Sequence, residues 1–319
     1  MDNPFNYFDK IFCINLDERT DRWEKCLNKF SLLGIEDKVE RLSAVNLSHL
    51  TERDPKIRGR AGCVLSHAKI LRKAKELNLG SYLVLEDDFD LCYSPEDCLE
   101  SLSLSLKELP EKWNIFYLGG NLTDEYGTFP LEKFSDNLFK LNSCHTTHSF
   151  AVNSNFYDSL DKELPKEDNV FDWLSEKKAI DVYFSKNILH TSQSFIPHKM
   201  LFIQHADFSD IESNYYDYVD WMKNTFDSFK DTLLNNKVDP LLFLNSSRFD
   251  ILAKYIYGLL LLKERETSYG EDLYYNHLKV WNDCQHGDGK KGIEEYKSSF
   301  KELLSSIQKE GFNPQKSKV

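Results

Sequence analysis

Leu83-Val-Leu-Glu-Asp-Asp88 decides the fold reading of this 319-residue chain: an apolar strand, Tyr82 to Leu85, runs straight into three consecutive carboxylates. Upstream, Leu65, Ala68, Leu71, Ala74 and Leu77 fall on one face of a helix from about Gly62 to Leu79, ended by Gly80. Further upstream, Ile11 to Asn15 reads as a buried strand. Trp23, Cys26, Leu27, Phe30 and Leu33 then mark a helix, with Gly34 where a left-handed cap is wanted. Downstream, Ile115 to Leu118 and Phe150 to Val152 read as further strands. Alternating strands and helices of this kind make an α/β fold with a mostly parallel twisted sheet. In such sheets ligands bind outside the carboxyl ends of the strands, which is where Glu86, Asp87 and Asp88 lie.

Beyond about residue 211 the texture turns acidic, aromatic and helical, with Phe249, Leu252, Ile256 and Leu259 at helical spacing and another helix near Ile293 to Ile307. The expected division is a catalytic domain over 1–211 and a helical C-terminal region over 212–319. The exposed aromatics of that region, such as Tyr215, Tyr216 and Tyr218, could pack on the first domain, form an acceptor platform or join two copies of the chain as a homo-oligomer; packing ranks first. The polar residues Asn313 to Val319 lack a closing pattern, so the chain could be a piece of something longer.

A hydrophobic content of 41% supports a substantial core, and the formal charge of −12 repels a phosphate backbone, so nucleic acid is not an expected partner. The strongly apolar run Tyr255 to Leu262 is far short of the ~20 residues that span a bilayer. No secretory signal or membrane span is visible, and the expectation is a cytoplasmic protein. The seven cysteines are odd in number and scattered, which suits reduced thiols, and none forms a Cys-x-x-Cys pair of the kind that builds thiolate zinc sites.

Three adjacent carboxylates repel one another, and a cation with oxygen ligands is the economical way to stabilise them. Alternation along an extended segment lets Glu86 and Asp88 share a face while Asp87 points elsewhere; the plain alternative is a solvated acidic turn. The loop Asn15-Leu-Asp-Glu-Arg-Thr-Asp-Arg22 leaves a strand and enters a helix, a position that favours an anion. There Arg19 and Arg22 could hold a pyrophosphate or ribose and Asp17 could accept from a sugar or base, unless Asp21 merely caps the helix and the arginines are solvated. Arg53, Lys56, Arg58 and Arg60 precede the Gly62 helix as a possible mobile phosphate clamp. His67 reads as pocket-supporting, and His145 and His148 as possible acceptor-site residues. Asp181, in the apolar setting Ala179 to Phe184, is a candidate general base or else a helix cap. His205, beside Asp207, is a possible further metal ligand.

In order along residues 8 to 212, these pieces resemble glycosyltransferase family 25, the lipooligosaccharide-type and collagen-type galactosyl and glucosyl transferases. Ile14-Asn-Leu-Asp-Glu-Arg-Thr-Asp-Arg-Trp23 is similar to its opening signature, Arg41 to Val45 to its second strand, Gly62-Cys-Val-Leu-Ser-His67 to its Gly-Cys-x-x-Ser-His helix, and Leu83 to Asp88 to its metal-binding strand. Phe116 to Gly119, Thr147 to Phe150, Ile180-Asp181 and Gln204 to Asp210 are weaker landmarks, and Thr146 to Phe150 departs from the family's Thr-x-Ala-Tyr. The resemblance implies a GT-A-like nucleotide-sugar-binding domain, a UDP-sugar donor, Mn²⁺ (or Mg²⁺) dependence and inversion at the anomeric carbon. On that basis Glu86, Asp88 and His205 are expected to hold the metal, and Asn15, Asp17, Arg19, Arg22, Arg60, His67 and Asp87 the nucleotide-sugar. Asp181 is expected to deprotonate a hydroxyl of a glycan or glycoprotein acceptor. The rival readings are a metal-dependent nucleotide-sugar hydrolase or phosphoesterase, and an inactive carbohydrate-binding module.

Overall fold

The computed structural model describes residues 3–124, 127–209 and 214–235, together with Tyr257, Ser298, Lys301, Glu302 and Ser305. Contacts divide the chain into two compact units, Met1–Lys237 and Val238–Val319, and the fold described is that of the first. The helices expected around Phe249 to Leu259 and Ile293 to Ile307 lie outside the described residues save for those isolated positions.

In chain order the first unit runs β1 (Lys10–Asn15), α1 (Thr20–Leu33), β2 (Val39–Ser43), α2 (Pro55–Glu76), β3 (Ser81–Glu86), β4 (Phe89–Leu91) and α3 (Pro95–Glu108). It continues through β5 (Ile115–Tyr117), β6 (Asn121–Leu122), β7 (Leu131–Lys133), β8 (Leu138–Leu141), β9 (Cys144–His145) and β10 (Ser149–Asn153). Then come α4 (Tyr157–Glu163), α5 (Val170–Lys177), α6 (Ile180–Tyr183), β11 (Ser194–Pro197), β12 (Phe202–Gln204), β13 (Asp207–Ser209), β14 (Asn214–Tyr216) and α7 (Val219–Asn235).

The central sheet has eight strands in the order β2-β1-β3-β10-β5-β11-β8-β7. The pairings give one direction to all but β10 and β8, so the sheet is mostly parallel with two reversed strands. β1 lies between β2 and β3 in parallel register, Ile14 opposite both Leu42 and Glu86, so the carboxyl ends of all three strands open at one edge. Tyr82 to Leu85 are all buried, as the unbroken apolar run requires of a strand covered on both faces. α1 ends as its sequence demands, with Gly34 at φ 63 and its N–H on the last turn's carbonyls.

α2 starts seven residues before the expected Gly62. Asp54 caps it by accepting from the N–H groups of Lys56 and Ile57, and Pro55 occupies the first turn, where its missing N–H costs nothing. Lys56, Arg58 and Arg60 therefore sit in the first turns of a capped helix rather than on a mobile loop before it. Gly62 is interior to that helix for a packing reason: a Cβ there would lie 2.3 Å from the Val45 carbonyl oxygen, so only glycine lets α2 press against the loop after β2. That approach brings Cys63, Ser66 and His67 to the strand ends. Farther on, α7 packs against β6, β7 and β12, with Phe229 meeting Phe129 edge to face at 5.4 Å. Among the described residues no helix is long and apolar enough to cross a membrane.

Candidate functional site

A cleft of ≈ 530 Å³ opens over the carboxyl ends of β1 and β3, between the loop after β2, the N-terminal half of α2 and the Gln204 to Asp207 segment. Of the residues singled out from sequence, Asn15, Arg19, Arg22, Arg58, His67, Glu86, Asp87, Asp88, His205, Asp207 and Tyr218 line it. Asp17, Arg60 and Asp181 are not among its lining residues.

The three carboxylates have separate environments. Glu86 Oε1 accepts from Thr147 Oγ1 at 2.7 Å and faces His67 Nε2 at 3.0 Å. Burial alone would raise its pKa, but those hydrogen bonds and the nearby histidine charge outweigh it and hold the carboxyl below the ordinary value. Asp87 is a structural bracket. Its Oδ2 accepts from Asn15 Nδ2 at 2.6 Å and its Oδ1 from Arg22 Nη1 at 2.9 Å, while burial keeps its pKa raised despite them. Asp88 is the unbalanced member. Burial, then the charges of Glu86 and Asp87, push its pKa to about 7. Gln204 Nε2 donates to its Oδ2 at 3.2 Å, while its Oδ1 is buried with no hydrogen-bond partner among the described residues. A buried carboxylate oxygen without a donor is costly in a protein alone, and a cation is the partner that removes both the repulsion and the vacancy.

The basic side is equally ordered. Arg22, nearly buried, ties Asp87 to Asp207, whose Oδ2 lies 3.3 Å from its Nε. Arg19 pairs with Asp21 at 3.0 Å and reaches Asp207 at 3.5 Å. Asp21 thus engages Arg19 instead of capping α1, whose N-cap position has no side-chain hydrogen bond. The Asn15 amide is fully committed, since its Nδ2 also donates to the Arg19 carbonyl and its Oδ1 accepts from Arg41. Asp17 is largely exposed and held by Ser43 Oγ at 2.8 Å and Arg41 at 3.4 Å.

Sequence reasoning overlooked Arg41, which braces Asn15 and stacks over Trp23 at 5.1 Å, and Thr147, which steadies Glu86. The signal for Arg41 was the parallel β1–β2 pairing, which sets it opposite Cys13, two residues from Asn15. Thr147 enters the sequence reading only as the start of a weak family landmark, and its contact with Glu86 had no signal, because β10 reaches β3 through antiparallel pairing with a strand remote in sequence.

The other predicted residues sit differently. His205 lines the cleft through its position beside Asp88, whose carbonyl its N–H bonds, but its Nδ1 pairs with Asp90 Oδ2 at 3.3 Å. Asp181 lies within the first turn of α6 and is not its cap, since the N-cap is Ala179; its Oδ1 accepts from the Val182 N–H at 2.8 Å and its Oδ2 from the Thr146 N–H at 3.2 Å. Thr146 stands at φ 72, a left-handed conformation that a β-branched residue resists, so the Asp181 bond helps fix a strained turn. His148 is wholly buried and outside the cleft, and burial lowers its pKa to about 4. Its Nε2 donates to the Phe202 carbonyl at 3.3 Å, which leaves Nδ1 to accept from Thr146 Oγ1 at 3.1 Å. It braces the corner; it does not face an acceptor.

Residues 8–162 match the family model described as Glycosyltransferase family 25 (LPS biosynthesis protein). Procollagen galactosyltransferase 1-B of Xenopus laevis is 32% identical over 131 residues, 35% of this chain and 21% of that protein. Glycosyltransferase 25 family member of Anopheles gambiae is 35% identical over 97 residues, 24% of this chain and 16% of that protein. The chain thus spans about a fifth or less of the length of these curated relatives. The solved A197 protein of STIV, over 65% of this chain and 92% of that one, gives a TM-score of 0.34 at 12% identity, too slight a likeness to bear on function. The matched stretch holds β1, β3, α2 and the acidic triplet of the cleft, so the likeness to glycosyltransferase family 25 falls on residues 8–162, the part of the chain that builds most of the cleft.

Proposed function

We propose that the cleft is the donor site of a metal-dependent, inverting hexosyltransferase of GT-A type that moves galactose or glucose from a UDP-sugar to a hydroxyl of a glycan or glycoprotein acceptor. The observation that carries the proposal is the buried Asp88 Oδ1, without a hydrogen-bond partner among the described residues, beside Glu86 in a cleft that Arg19 and Arg22 also line. The likeness to relatives named procollagen galactosyltransferases favours galactose and a protein-linked acceptor.

Glu86 and Asp88 would hold a hard divalent cation, Mn²⁺ or Mg²⁺, and His205 is the further candidate on its rim. Bound there, the ion supplies charge neutralisation for the departing diphosphate. Arg19 and Arg22 reach the same diphosphate from the α1 side once Asp207, which now occupies their guanidinium groups, yields to it. Asp87 and Asn15 keep Arg22 aimed, so their contribution to the nucleotide-sugar is through that side chain. His67 and Thr147 fix the orientation of Glu86. Arg60 and Asp17 lie outside the cleft and contact the donor only from its margin.

Displacement at the anomeric carbon builds oxocarbenium character, and the acceptor oxygen must lose its proton as it attacks from the face opposite the diphosphate. Asp181 is the proposed base. Its charge is close enough to the cleft residue Cys63 to help raise that thiol's pKa, behind burial and Glu86. To act, its Oδ2 exchanges the Thr146 N–H for the acceptor hydroxyl.

Incubation with UDP-galactose or UDP-glucose and Mn²⁺, with and without glycan and procollagen acceptors, tests the proposal through free UDP and product mass. UDP release that rises with acceptor supports it. Release indifferent to acceptor assigns the cleft to a nucleotide-sugar hydrolase, and UDP binding without release assigns it to a binding module.

A further inference from the structure

We propose that Cys63, His67 and Glu86 form a second cation site, selective for a soft divalent ion such as zinc, which shares Glu86 with the oxygen-only site of Glu86 and Asp88. The Sγ of Cys63, a ring nitrogen of His67 and a carboxylate oxygen of Glu86 all lie within 4.8 Å of one another. Cys63 and His67 are one turn apart on α2, so both project toward the end of β3, and the glycine beside Cys63 is what allows that turn to come so close. The sequence reading set zinc aside for want of a Cys-x-x-Cys pair. A helical pair four residues apart, completed by a carboxylate from a strand, needs no such motif.

The donor set decides the ion. A thiolate with an imidazole and one carboxylate favours zinc over manganese or magnesium, whereas Glu86 with Asp88 offers oxygen alone. Metal–ligand distances of about 2.0 to 2.3 Å put tetrahedral ligand atoms roughly 3.5 Å apart, so as the ion enters the 3.0 Å contact of His67 Nε2 with Glu86 Oε1 opens slightly and the Cys63 Sγ closes on the pair. All three residues line the cleft, so a fourth position faces solvent or a bound ligand. On binding, the Cys63 Sγ–H proton leaves to water together with any proton held between His67 Nε2 and Glu86 Oε1, and a sulfur–zinc bond forms with no change of oxidation state. The ion holds the Glu86 carboxylate on its α2 side, where it no longer serves a cation at Asp88. Zinc and manganese therefore exclude one another, and zinc at this site is an inhibitor of any reaction that needs Glu86 and Asp88 together.

Cobalt(II), added to the metal-stripped full chain, is the spectroscopic probe. The parent is expected to show a thiolate-to-cobalt charge-transfer band and tetrahedral d–d bands, removed by one equivalent of Zn²⁺. Cys63→Ser is expected to lose the charge-transfer band and at least about tenfold in Zn²⁺ affinity, measured against a chromophoric chelator, with its circular dichroism and Mn²⁺ affinity retained. Asp88→Asn is expected to do the reverse, keeping the cobalt band and losing Mn²⁺. A parent without the band, or a Cys63→Ser protein that binds Zn²⁺ as tightly as the parent, overturns the inference. The site uses the Glu86 of the proposed donor cleft, but no readout involves turnover, so it can fail while the transferase reading stands, and stand while that reading fails.

Discussion

Two corners of the first unit carry carboxylates that look alike in sequence and behave differently in space. At the ends of β1 and β3, Glu86 and Asp88 stand in an open cleft, and one oxygen of Asp88 is buried without a donor. At the corner formed by Thr146 to His148 and α6, Asp181 is satisfied twice over by backbone N–H groups and helps hold Thr146 in a left-handed turn. The first arrangement leaves electrostatic work for a ligand; the second has completed its own. A carboxylate with an unmet oxygen invites a ligand directly, whereas one already bonded by N–H groups must release a donor before it can act.

The sharpest way to break the comparison is substitution at both corners. Asp88→Asn keeps shape and removes charge, and is expected to lower Mn²⁺-dependent hexosyl transfer by about 10³-fold, with UDP-sugar consumption as the readout. Asp181→Asn is expected to lower kcat by about 10²-fold with little change in donor KM if its carboxylate takes the acceptor proton. A variant with intact kcat and a reduced melting temperature would leave Asp181 with the Thr146 turn alone, and the base would have to be sought in the cleft.

The contrast also explains what could be read from the chain. β1, α1, β3 and the acidic triplet were legible because strand, cap and ligand are coded within a few residues of one another, and because parallel pairing opens their ends at one edge. The separate duties of Glu86, Asp87 and Asp88 were not legible. They depend on His67, Thr147, Asn15, Arg22 and Gln204, which reach the triplet from elements distant in sequence. The start of α2 was misplaced because apolar periodicity begins at Gly62, while the capping signal, Asp54-Pro55, lies outside the apolar face. Asp181 was read from an apolar neighbourhood, which measures burial and says nothing of the backbone donors waiting there.

A quieter difference between the corners is in stability against pH. The Asp88 pKa of about 7 is above the ordinary carboxylate value, so between about pH 4 and pH 7 the native state binds more protons than the unfolded chain. Stability is therefore lost as pH rises through that window. The loss is on the order of 4 kcal/mol at most, taken from the free-energy equivalent of such a shift. In metal-free protein, Asp88→Asn is expected to unfold at higher urea than the parent at pH 8 and at nearly the same urea at pH 4. Mn²⁺ is expected to stabilise the parent and leave the variant unmoved. Parent and variant curves that coincide at pH 8 would mean that the Asp88 deficit is already met within the protein.

The smallest effect is expected at His205, and it tests how far the deficient region extends. Its backbone N–H is bonded to the Asp88 carbonyl, but its imidazole turns to Asp90, and both side chains are more than a third exposed. An exposed pair of this kind is worth a fraction of a kcal/mol. If the cation shell ends at Glu86 and Asp88, His205→Ala should change Mn²⁺ affinity by less than about threefold, because the Asp88 contact is made by main chain that the substitution preserves. A loss of tenfold or more, read by isothermal titration, would show that the imidazole swings from Asp90 into the shell when the ion arrives, and would move the border of the deficient corner out to β12 and β13.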